Sequence, residues 1–142
     1  ADVGYWEQHG NASSSFKSVR TGLSLGFGDV TIGMSYKDTQ DLDGGSPGIT
    51  TNGQESFEVG ASYKANADFT LATKYYNSSS PQTTAIAGSD QVDKVSVGAT
   101  YALGAGVTLA GSIVHVAWDD ESTADANNND GWAAVGGLKI AF

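Results

Sequence analysis

Six of the seven basic residues in this chain, Arg20, Lys37, Lys64, Lys74, Lys94 and Lys139, stand in stretches where small or polar residues recur at every second position. In an extended chain that spacing puts them all on one side. Fixed cations on one face make no bonds; they select solutes by charge or keep a sheet soluble and unpaired. The acids are placed differently. Asp41, Asp43, Asp90, Asp119, Asp120, Glu121, Asp125 and Asp130, half of the 16 acids that set the formal net charge of -9 against 7 basic residues, fall in or beside polar stretches rich in Gly, Ser and Asn.

Other chemistry is sparse. His9 and His115 stand alone, without a carboxylate at a fixed offset, and no serine sits in a nucleophile elbow, so no catalytic residue is assigned and the chain does not read as an enzyme. The stretch Asp125-Ala-Asn127-Asn-Asn129-Asp130-Gly131 begins like a calcium loop, but Asp130 stands where an EF-hand needs glycine and no glutamate follows at the right spacing. Asp119, Asp120 and Glu121 remain weak candidate ligands for a structural Ca²⁺ in an acidic loop; no other cofactor is implied. With no cysteine there is no disulfide or thiolate metal site. The basic residues are spread thinly and the acidic stretches would repel phosphate, which argues against nucleic acid as a partner.

The elements that carry the lysines are strands. The chain ends in Gly-Leu-Lys-Ile-Ala-Phe, where Trp132, Ala134, Gly136, Leu138, Ile140 and Phe142 share one face and Lys139 lies on the other. Six more segments repeat the alternation. Val19, Thr21, Leu23, Leu25 and Phe27 alternate with Ser18, Arg20, Gly22, Ser24 and Gly26, and Val30, Ile32, Met34 and Tyr36 follow after Gly28-Asp29, which predicts a hairpin. Phe57 to Lys64 and Phe69 to Tyr76 form a second hairpin about residues 65–68, and Lys94 to Leu103 and Val107 to Ile113 a third about residues 104–106. From Val114 to Trp118 both faces turn apolar, which suggests a bulge.

Short links (28–29, 65–68, 104–106) alternate strictly with long polar ones (39–54, 77–92, 119–130). An outer-membrane barrel is built this way, with short periplasmic turns, long outer loops, one strand face to lipid and the other to water. Phe27, Phe69, Tyr101 and Phe142 fall at the short-turn level, and Tyr36, Tyr75 and Trp132 near the long-loop level, which gives two aromatic girdles. Mean hydropathy is only -0.22, and no run approaches the roughly 20 apolar residues of a membrane helix. Strands span without such a run, because only every second side chain meets lipid. No signal peptide is visible, as expected of a processed or shortened chain.

The inward positions are mainly Gly, Ser, Thr and Ala. A barrel of eight strands is filled by its own side chains; such small residues suit the wall of a wide channel instead. The first segment, Val3 to Gln8, is also weakly patterned for a closing strand. About eight strands are therefore expected, as part of a larger barrel.

The units LSLGFGDVTIGMSYKDT and KVSVGATYALGAGVTLAGSIVH and the terminal GGLKIAF resemble the C-terminal half of a Gram-negative general-diffusion porin of the alphaproteobacterial type. The resemblance implies an all-β fold in which residues 1–142 form a single antiparallel transmembrane β-barrel domain or half of a 16-stranded one, in the bacterial outer membrane. It also implies a homotrimer that passes small hydrophilic solutes and ions. Arg20, Lys37, Lys74 and Lys94 would then line the pore, Lys64 and Lys139 would lie nearer its periplasmic mouth, and Phe142 would help the barrel-insertion machinery recognise the chain. A second reading stays open at this point: a small, closed eight-stranded barrel without a pore, structural or adhesive through its acidic loops.

Overall fold

The computed structural model describes residues 2–9, 15–41, 53–81, 88–120 and 128–141. They form β1 (Asp2–His9), β2 (Ser15–Phe27), β3 (Val30–Asp41), β4 (Gln54–Lys64), β5 (Phe69–Pro81), β6 (Ser89–Gly104), β7 (Val107–Asp119) and β8 (Asn129–Ile140). The strands make one antiparallel sheet in the order β1 to β8, each bonded to its neighbours in sequence. Among the described residues no ladder joins β8 to β1, so the closed eight-stranded barrel has no counterpart in this pairing.

The short links close as their residues dictate. Gly28 takes φ 60°, the sign that a two-residue hairpin turn with glycine at its first central position demands. In the next turn Asn66 Oδ1 accepts from the amides of Asp68 and Phe69, both at 2.9 Å, the side-chain closure that makes asparagine a turn former. At Gly106, φ is 77° and a Cβ would lie 2.4 Å from the Ala141 carbonyl oxygen. Only glycine fits where the end of the chain is held by the Ala141 amide donating to Gly106 O.

Register fixes the two faces. One row runs Leu25, Ile32, Ala61, Thr73, Val97, Ile113, Ala134 across seven strands, and the next runs Ser24, Gly33, Gly60, Lys74, Ser96, Val114, Ala133 on the opposite face. The row through Val30 meets Gly136 in β8, four residues before that strand ends at Ile140. The feet of the strands thus descend across the sheet, the stagger that goes with strand tilt in a barrel.

No hydrophobic side chain among the described residues is buried; the buried residues are Ser18 and Ser78. Leu23, Leu25, Phe27, Met34, Val97, Ile113 and Leu138 all stand exposed on the apolar face. A soluble sheet would cover such a surface with a second layer. Here the surface is continuous and the layer is absent from the described chain, which suits a lipid solvent. No helix of the described residues is long and apolar enough to cross a membrane; the crossing elements are strands.

Two expectations are corrected. The bulge expected at 114–118 does not form: β7 stays in step with both neighbours there, and the register shift in this hairpin falls at Ala102/Gly104. Continuous pairing carries Val114, Val116 and Trp118 onto the polar face and His115 onto the apolar one. The strands also run past the expected ends into the long links, to Asp41, Pro81 and Ser89. Once the chain leaves lipid, polar residues satisfy the same ladder, so pairing continues where the hydrophobic alternation has stopped.

Candidate functional site

The polar face is a wall of glycine, serine, threonine and alanine studded with cations. Arg20 on β2 stands directly opposite Lys37 on β3, and Lys37 faces Ser56 on β4. One position further along β4 on the same face is Glu58, opposite Ser35 and Tyr76. Its Oε2 lies 3.1 Å from Lys74 Nζ. Lys94 on β6 faces Tyr76, with its Nζ 5.6 Å from the ring centroid, within reach of the attraction between an ammonium and an aromatic face. The four cations nearer the long links thus form a band over β2 to β6.

Between the arms of this band lies an open groove of about 470 Å³ over β2–β4, bounded by Arg20, Ser24, Ser35, Glu58 and Ser62 with glycines as its floor. Glycine at positions 22, 33 and 60 removes the side chains that would fill it. Lys64 and Lys139 stand apart, near the short-turn end opposite Thr70 and Thr108. The register therefore brings Arg20, Lys37, Lys74 and Lys94 into one band and leaves the other two below it.

Sequence inspection missed two partners in this wall. Glu58 and Tyr76 meet Lys74 and Lys94 only across strand pairs, 16 and 18 positions away in sequence; the hairpin register counted from residues 65–68 finds the first, whereas the second spans the long link between β5 and β6 and follows only from their pairing. On β7 and β8 the polar face changes character and carries Val114, Val116 and Val135, with Val135 63% exposed.

Along the strands the described aromatic residues divide between the two ends of the sheet. Tyr36 pairs with Phe57, and Tyr75 lies between Val59 and Val95 on the long-loop side. The Tyr75 hydroxyl donates to Asp93, which also accepts from Asn77 Nδ2 at 3.1 Å. Trp132 is 74% exposed and its ring centroid is 4.6 Å from that of His115. At the other level Phe69 pairs with Tyr101, ring centroids 6.3 Å apart, and Phe27 closes β2 opposite Val30. Aromatic rings with a polar tip settle at such interfaces because one end is apolar and the other wet. Phe142 lies outside the described residues.

His115 does not stand alone. Its Nε2 is 3.2 Å from Asp130 Oδ2, a contact made across the β7–β8 pair and invisible to any fixed offset along the chain. His9 ends β1 opposite Ser15. Of the calcium candidates, Asp119 ends β7 opposite Gln91, the Asp120 amide donates to Asn128 Oδ1 at 3.0 Å, and Glu121 is outside the described residues. Among the described residues no three His, Cys, Asp or Glu side chains come together as a metal site.

A comparison with curated proteins finds no match. The family described as Gram-negative porin, whose members reside in the bacterial outer membrane, matches residues 1–136. With that match over nearly the whole sequence, and an eight-stranded antiparallel sheet apolar on one face and basic on the other, the chain belongs to the Gram-negative porin family.

Proposed function

We propose that the chain forms part of the wall of a water-filled channel through which small hydrophilic solutes and ions diffuse passively, without catalysis. The observation that carries this reading is the polar face itself: glycines, serines and threonines leave room for water, and Arg20, Lys37, Lys74 and Lys94 set a positive potential along one band. Lys64 and Lys139 extend the charge toward the short-turn mouth.

In this reading the eight strands of residues 1–142 are half of a 16-stranded barrel, which gives both sheet edges a partner. Three such barrels associate as a homotrimer, and Phe142 serves recognition by the insertion machinery. The intact mass of the chain purified from its native membrane tests the barrel size: about twice 14.6 kDa is expected, and 14.6 kDa itself would overturn the half-barrel. Reconstitution of the full-length protein into planar bilayers tests the channel. Ohmic steps with a reversal potential displaced toward anions are expected; a folded barrel that does not conduct would overturn the proposal.

A further inference from the structure

Across β2 to β6 the basic band holds one acid among the described residues, while Asp2 on β1 stands opposite Gly22 in the row that runs on to that acid. Glu58 lies on the polar face within the band, whereas Asp90, on the same face, sits at the long-loop rim opposite Ser80. Glu58 Oε2 is 3.1 Å from Lys74 Nζ, and both side chains remain partly exposed, at 39% and 44%. In that setting the pair adds little to stability, since exposed ion pairs are largely repaid by water. What it changes is the field. A cation with a carboxylate beside it presents a dipole to a passing solute rather than a net charge, and a dipole's reach falls faster with distance.

The cations on either side have other surroundings. Arg20 and Lys37 stand opposite each other, and among the described residues neither makes an ion pair with a carboxylate. Lys94 rests over the face of Tyr76, which holds the ammonium without cancelling its charge. From β3 to β6 is three strand spacings, about 14 Å, further than the roughly 8 Å over which charges in physiological salt see each other well.

We infer that Glu58 is a selectivity-determining residue of the wall: by cancelling Lys74 it divides the band into two separate anion stations, Arg20 with Lys37 and Lys94 alone, and moderates the preference for anions. This inference rests on the channel reading above. Its ligand class is small inorganic or organic anions, which meet two modest positive sites rather than one continuous strip.

The test is the reversal potential of the full-length channel under a KCl gradient. Glu58→Gln keeps size and hydrogen bonding but removes the charge, and it should raise the anion-to-cation permeability ratio two- to threefold, the factor that one unit charge at about 7 Å, screened by physiological salt, produces by acting oppositely on anion and cation. Lys74→Gln, which leaves Glu58 uncompensated, should lower the ratio by a similar factor. The two shifts should cancel in the double variant and shrink together as salt rises. Lys94→Glu serves as reference. If it moves the reversal potential and Glu58→Gln and Lys74→Gln do not, Glu58 has no such role while the lining assignment stands. If none of the three moves it, the lining assignment falls and this inference with it.

Discussion

The ring of Trp132 lies against His115, centroids 4.6 Å apart, while the His115 Nε2 reaches Asp130 Oδ2 at 3.2 Å. The three residues form a small polar network on the apolar face, toward the long-link end of β7 and β8. Replacing Trp132 by alanine should cost about 0.5–1.5 kcal/mol for the lost ring contact, in addition to the area it covers. Urea titration of the full-length protein in lipid vesicles reads this directly. A midpoint unchanged from the parent would remove Trp132 from the girdle.

The two faces respond oppositely to charge. Ile32→Lys, in the central row of the apolar face, should destabilise the membrane-inserted barrel by about 2–4 kcal/mol, the penalty for a lysine near the bilayer midplane. Ser24→Lys lies on the polar face next to that row and should leave folding intact. Comparing the two by heat-modifiable mobility on gels checks the face assignment, and equal losses would refute it.

Gly106→Ala should be costly out of proportion to the one methyl group added. The residue sits at φ 77° and its Cβ would meet the Ala141 carbonyl oxygen at 2.4 Å, so backbone strain of about 1–3 kcal/mol adds to a displaced terminus. Gly28→Ala, where the added methyl meets nothing within 4 Å, should lose only the left-handed penalty of about 1–2 kcal/mol. The order of the two midpoints in urea is the check.

In the channel, Lys94→Glu should shift ion preference toward cations, and Tyr76→Leu should do so only weakly, because the ring positions the ammonium but carries no charge. Reversal potentials under the same salt gradient separate the two. A Tyr76→Leu shift as large as that of Lys94→Glu would mean that the ring governs pore width instead.

Most of this arrangement was legible in the sequence because a lipid-facing sheet imposes a strict rule on alternate residues, and strands such as Leu23 to Phe27 or Lys94 to Leu103 obey it. Where the rule lapses, sequence reading lapsed too. On β7 the run Val114 to Trp118 is apolar on both faces, and only pairing with Lys94, Val95 and Ser96 on one side and Trp132 and Ala133 on the other settles which face each residue takes. Glu58 beside Lys74 and Asp130 beside His115 are cross-strand neighbours, set by register rather than by spacing. The polar ends of β3 and β5 looked like loops because hydrophobicity reports the solvent around a strand, whereas the ladder depends only on the backbone.

A sheet whose described residues include no buried hydrophobic side chain has a consequence for how this protein can change. In a packed core each substitution leaves a cavity or a clash that neighbours must absorb. Here the residues that meet lipid and those that meet the polar side point away from each other across a single layer of backbone. Variation in one set is not transmitted to the other. In the proposed channel, permeation can then be retuned position by position, at Arg20, Glu58 or Lys94, while the apolar surface is left untouched.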